Sequence, residues 1–160
     1  MSLSSRPAER SLDVIVHNIR SAQNVGSLFR TADSLGISKL WLTGYTPIPS
    51  HVRVAKTALG AESSVEWEQV LDVQEVIQRA KSEGKRLIGL ELDSRAVSLS
   101  DFKPPEQMML LIGNEVEGIT PSLLAECDDV VSLSQHGMKE SMNVAVATGI
   151  AAYWLLHVSI

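Results

Sequence analysis

Residues Met108-Met109-Leu110-Leu111-Ile112 form an unbroken apolar run that stops at Gly113. Side chains alternate across a strand, so a strand that is apolar at every position needs cover on both faces. The run therefore specifies a central strand of a mainly parallel sheet with helices on both sides. Other segments fit that frame. Asp13 to Val16, Leu40 to Leu42, Val65 to Trp67, Arg86 to Leu92 and Val130 to Leu133 read as further strands. Ser21 to Gly36 and Val70 to Ser82 carry apolar residues at helical spacing, with Gly36 and Gly84 as stops. Thr120 and Pro121 suit the cap and first position of a short helix reaching Cys127. Pro47-Ile48-Pro49 and Pro104-Pro105 mark loops. A last helix is expected to start near Ser141, with Ser141 as its N-cap. The expectation is a single α/β domain over residues 1–160, with residues 1–10 disordered. In such sheets ligands bind beyond the carboxyl ends of the strands. The segments after Ile112 and after Leu133 are thus where a site is expected.

Several function classes lose support early. The N-terminus, Met1 to Glu9, has no apolar leader, and the apolar stretch Val144 to Leu156 is shorter than a bilayer span of about 20 residues. A cytoplasmic location without a membrane partner is the resulting expectation. His17, His51, His136 and His157 are scattered, so no metal site is expected. Cys127 is the single cysteine, which rules out an internal disulfide, and its apolar neighbours mark it as a small core residue. Net charge is −5, which at face value argues against nucleic acid. The distribution says otherwise. Residues 1–56 hold seven bases against three acids, and residues 57–160 hold seven against sixteen. A basic third on an acidic body can present a local phosphate-binding face, and Arg10, Arg20, Arg30, Arg53 and Lys56 are its candidate phosphate-contacting residues.

Three segments stand out for chemistry. The first is Asn24-Val25-Gly26-Ser27-Leu28-Phe29-Arg30-Thr31-Ala32-Asp33. On a helix Arg30 projects away from the Leu28–Phe29 stripe, so by periodicity alone it is a surface arginine. The second is Gly113-Asn114-Glu115-Val116-Glu117-Gly118-Ile119, a strand exit where glycines let the backbone turn sharply and approach a ligand. No Gly-Lys-Ser/Thr follows, so it is not a phosphate-binding P-loop. The third runs from Leu133 through Ser141-Met142-Asn143-Val144-Ala145-Val146-Ala147. A helix start there offers free backbone N–H groups to a polar ligand atom.

In this order and spacing the three segments resemble the motifs of the SpoU (TrmH-like) RNA ribose methyltransferases of the SPOUT superfamily, over about Leu12 to Leu156. Departures are local. Leu133-Ser134-Gln135 stands where Ile-Pro-Met is usual, Ser141-Met142-Asn143 where Ser-Leu-Asn is usual, and Val144-Ala145-Val146 where Val-Ser-Val is usual. The resemblance implies transfer of a methyl group from S-adenosylmethionine (SAM) to a ribose 2'-hydroxyl of tRNA or rRNA. It implies a C-terminal deep trefoil knot and a homodimer. It places SAM against Leu90, Gly113, Asn114, Glu115, Leu133, Ser141 and Met142. It puts the catalytic arginine at Arg30, supported by Asn24, Glu115, Ser141 and Asn143.

A guanidinium pKa of about 12.5 or more leaves little neutral arginine to act as a base. Arg30 is better suited to stabilise the developing alkoxide and clamp a phosphate, with Glu115 as an ion-pair partner. The final helix is apolar nearly all round from Asn143 to His157, with Ala145, Gly149 and Ala152 as small residues for close approach of a second helix. That pattern points to dimerisation through it. Two other readings remain at this stage. A Rossmann-type nucleotide-binding domain lacks its Gly-x-Gly-x-x-Gly after a strand. A non-catalytic RNA-binding module that keeps the knotted fold would not need the intact Arg30, Glu115 and Asn143.

Overall fold

The computed structural model describes residues 9–139 and 141–159. The disorder expected of residues 1–8 lies outside the described residues. Seven strands form one parallel sheet: β1 (Ser11–His17), β2 (Lys39–Thr43), β3 (Trp67–Val70), β4 (Arg86–Leu90), β5 (Val97–Ser98), β6 (Gln107–Ile112) and β7 (Asp129–Ser132). Their spatial order is β3-β2-β1-β6-β4-β7-β5, and every pairing is parallel. The apolar run is the central strand β6, between β1 and β4. Its side chains divide as the alternation requires. Leu110 and Ile112 join the core on one face, and Met109 and Leu111 join the core on the other.

Five helices cover the sheet: α1 (Ala22–Leu35), α2 (Val52–Ala58), α3 (Val73–Ser82), α4 (Pro121–Glu126) and α5 (Val144–His157). The first core gathers Val25, Leu28 and Phe29 of α1, Val54 of α2, and Ala151 and Leu155 of α5. The opposite core gathers Val76, Ile77 and Ala80 of α3 with Leu123 and Leu124 of α4. Cys127 sits in that second core, where burial pushes its thiol up to about 11, so it stays protonated and inert at neutral pH.

Local signals explain where elements begin and where expectation failed. Ser21 caps α1 by accepting from Asn24 N, and Gly36 ends it at φ 75°. Thr120 caps α4 with Pro121 in its first turn, as expected. Helix α2 had no sequence signal strong enough to separate it from the proline loop before it. It is capped unusually, by the His51 ring accepting from Arg53 N. Trp67 opens β3 rather than ending it, and the following helix starts at Val73, three residues later than expected, because the Asp72 carboxylate accepts from Gln74 N. The two-residue strand β5 is too short to read from pattern.

Candidate functional site

The strand exits of β4, β6 and β7 lie side by side and open into one cleft of about 560 Å³. Its lining includes Leu90, Gly113, Asn114, Glu115, Leu133, Ser141 and Met142, every residue expected to hold SAM. Asn24 and Asn143 line it too. Glu91, Glu115 and Glu117 contribute carboxylates, and among the described residues no lysine or arginine lines it. Such a site favours a cationic ligand group.

The turn from Gly113 to Ile119 forms one wall, and side chains clamp it from several sides. A Cβ on Gly113 would meet Gly118 C and O at 2.6 Å, so the turn closes on itself only with glycine there. Gly113→Ala is therefore expected to spread the turn and weaken binding of the product S-adenosylhomocysteine (SAH) at least tenfold by calorimetry. Wild-type affinity in that variant would show that the turn tolerates opening. Asn114, only 8% exposed, is the hub of the turn. Its Oδ1 accepts from Val116 N and Glu117 N, and its Nδ2 donates to Asn18 O and Tyr45 Oη.

Glu115 does not pair with Arg30. Its two oxygens accept from Arg20 N at 2.8 Å and Ser21 N at 3.1 Å. The reason is geometric: the exit of β6 meets the start of α1, whose unpaired N–H groups attract a carboxylate. Arg30 lies nine residues along that helix from Ser21, roughly 14 Å at 1.5 Å per residue. Arg30 is exposed and lines a different feature, a groove of about 860 Å³ between α1 and α5, together with Ile150, Tyr153 and Trp154.

The helix start in the third segment also differs from expectation. Asn143, not Ser141, caps α5: its Oδ1 accepts from Ala145 N at 2.9 Å and Val146 N at 3.2 Å. Its Nδ2 donates to Asn24 Oδ1 at 3.1 Å, which ties the first segment to the third. Ser141 lies two residues before the cap, free to face the cleft. Gly26 of the first segment serves packing: a Cβ there would meet Thr57 Cβ at 2.6 Å and Val54 O at 2.7 Å, so glycine lets α2 lie against α1.

Glu91 falls in the loop after Leu90 that the SpoU motifs imply for SAM, but its own role was not read from the sequence. Glu91 follows β4, and its Oε2 accepts from Ile119 N at 2.9 Å, closing the far end of the Gly113–Ile119 turn. A carboxylate after a strand ordinarily marks solvent, and only the neighbouring Leu90 hinted at it. Arg10 is reassigned: its Nη1 donates to Leu155 O at 3.1 Å and Val158 O at 2.8 Å, which caps the carboxyl end of α5. Arg20, Arg53 and Lys56 are exposed. Among the described residues no cluster of three or more His, Cys, Asp or Glu is placed to hold a metal ion.

The sequence model of the SpoU rRNA Methylase family matches residues 11–153. The chain belongs to the SpoU family. Among its SpoU relatives is the tRNA (guanosine(18)-2'-O)-methyltransferase of Aquifex aeolicus, 26% identical over 151 residues, covering 91% of this chain and 68% of that protein. The SpoU fold recurs in the AdoMet-bound rRNA methyltransferase of Sinorhizobium meliloti, with a TM-score of 0.86 and 25% identity over 94% of this chain and 57% of that one. It recurs also in a structure addressing 2-OH methylation of C/U34 on tRNA, with a TM-score of 0.78 and 26% identity over 91% of this chain and 94% of that one. The chain thus spans somewhat over half of the S. meliloti relative and nearly all of the last.

Proposed function

We propose that this chain is a SAM-dependent RNA methyltransferase that modifies a ribose 2'-hydroxyl of tRNA or rRNA in the cytoplasm, acting as a homodimer. The observation that carries this reading is the carboxylate-lined cleft at the exits of β4, β6 and β7. Its acidity suits a sulfonium cation, and its glycine turn leaves room for close backbone contact. SAM, when bound, supplies the methyl group on a good leaving group. The remaining work falls to the chain: to hold that group against Leu90, Gly113, Asn114, Leu133 and Met142, and to bring a weak oxygen nucleophile into line with it. Glu115 fixes the start of α1 against the turn, and Asn143 fixes Asn24. The SpoU resemblance gives Arg30 the developing alkoxide and a bidentate hold on the neighbouring phosphate, although in one copy it lines the α1–α5 groove and not the cleft. The near-complete overlap with the C/U34 tRNA structure favours tRNA as substrate.

The test is transfer of labelled methyl from SAM to RNA of a strain lacking the gene, followed by mapping of the modified nucleotide. Absence of any 2'-O-methyl product, with SAH bound, would leave the non-catalytic module as the surviving reading. Glu91→Ala is expected to weaken SAH about tenfold by freeing Ile119 N, and Glu91→Gln, which keeps an acceptor, to restore most of it. Equal losses in both variants would mean that the charge itself matters.

Two further parts of the reading rest on the SpoU assignment. The trefoil knot is supported by topology: β6 inserts between β1 and β4, and β7 between β4 and β5, after those neighbours have been laid down. The homodimer is supported by α5. Val146, Ile150 and Tyr153 are 53%, 46% and 56% exposed. Ala145 and Ala152 are buried within the subunit, so they do not serve the second copy as the sequence suggested. Arg30 lines the same groove. RNA binding is expected to fall steeply with salt, and charge reversal at Arg20, Arg53 or Lys56 to reduce the slope of log K against log salt by about one each while sparing SAH. Affinity unchanged between low and high salt would argue against a phosphate-reading face.

A further inference from the structure

Tyrosines ordinarily bury the ring and turn the hydroxyl to water. Tyr45 does the reverse. The residue is 57% exposed, yet its hydroxyl accepts from Asn114 Nδ2 at 2.8 Å, and Asn114 is 8% exposed. The exposure therefore falls on the ring. The backbone end is fixed as well. Tyr45 N donates to Asn18 Oδ1 at 3.1 Å. Thr46, 3% exposed, donates to Val16 O and accepts from Ile19 N. An aromatic face anchored at both ends loses little conformational freedom when a flat ligand lies on it.

The surroundings say which flat ligand. The chain runs from Tyr45 through the loop of residues 46–51 into α2, where Arg53 and Lys56 are exposed, and Arg20 is exposed just before α1. The amide that holds the Tyr45 hydroxyl also shapes the turn lining the cleft, through Val116 N and Glu117 N. An exposed ring tied to the turn that walls an RNA-modifying cleft, with exposed cations on the neighbouring elements α1 and α2, matches a nucleobase whose phosphates need neutralising.

We propose that Tyr45 is a stacking platform for a nucleobase of the RNA substrate, registering the strand against the cleft. The proposal rests on the RNA reading given above. Exposed Leu71 and Val116 nearby would instead suit a protein partner, and the test separates the two.

The experiment compares wild type, Tyr45→Ala and Tyr45→Phe, with tRNA from a strain lacking the gene as the RNA probe and SAH as the cofactor probe. Tyr45→Ala is expected to weaken tRNA binding about five- to hundredfold, the usual range for losing one base stack. Tyr45→Phe keeps the ring and is expected to stay within about threefold. SAH affinity should hold within about twofold in both variants. The slope of log K against log salt should not change, because stacking releases no counterions. Wild-type tRNA affinity in Tyr45→Ala would overturn the proposal and leave the patch to a protein partner. Equal losses in the alanine and phenylalanine variants would overturn it in favour of the hydroxyl. Loss of SAH binding in either would make Tyr45 a part of the cofactor turn only. If wild type itself bound SAH but no RNA, the RNA reading would fall instead, independently of Tyr45.

Discussion

Arg30→Ala is expected to lower methyl transfer about 100- to 1,000-fold while SAH affinity stays within a few-fold. The size follows from removing one preorganised donor aimed at a developing oxyanion. The selectivity follows from position: Arg30 is exposed on α1 and lines the α1–α5 groove, whereas SAM contacts are expected at the separate cleft lined by Gly113 and Leu133. Arg30→Lys separates charge from geometry. Lysine keeps the positive charge but not the planar fork, so activity should recover only in part. Near-normal turnover in the lysine variant would defeat the bidentate clamp, and simultaneous loss of SAH binding in the alanine variant would make Arg30 structural.

In the proposed homodimer, Ile150→Asp is expected to convert the dimer into a monomer at micromolar concentration and to abolish methyl transfer. Ile150 is 46% exposed on α5, between Val146 and Tyr153, beside the groove that holds Arg30. A carboxylate desolvated in that apolar face costs several kcal/mol, which Arg30 in the same groove offsets only in part, enough to raise a dimer dissociation constant by about two to three orders of magnitude. The same side chain on a monomer surface costs the fold little, so the melting temperature should change much less than the assembly. Light scattering reads the mass and a methyl-transfer assay reads the consequence. A wild-type chain that is monomeric and active would refute the interface.

Much of this was legible in the sequence because strand exits and burial follow simple rules. The apolar run at Met108–Ile112 demanded a central strand covered on both sides, and β6 has cores on both faces. Leu90, Gly113, Leu133 and Ser141 are far apart in sequence, and the motif spacing brought them to one place, where they share a cleft. What sequence could not supply was side-chain direction. Glu115 was matched with Arg30 as the available opposite charge, while the nearer attraction was the open start of α1. Arg10 counted as a free cation until the carbonyls at the end of α5, some 145 residues later, came within reach. Ser141 and Asn143 are both good caps, and only the φ, ψ values of the junction choose Asn143.

The strand order has a consequence for how this protein is made. β1 pairs on one side with β2, close in sequence, and on the other with β6, Ser11 facing Gln107. The β1-β2-β3 half, with α1 and α2, can therefore assemble early on the ribosome, but the inner edge of β1 stays unpaired until Ile112 has emerged. Late, long-range parallel pairing of this kind makes folding slow and leaves a sticky edge exposed meanwhile. The cleft is assembled later still, since Asn24 waits for Asn143. A nascent chain stalled before α5 would hold all seven strands but lack the helix that covers one face and the Asn143 that ties down Asn24, a substrate for chaperones rather than a working enzyme.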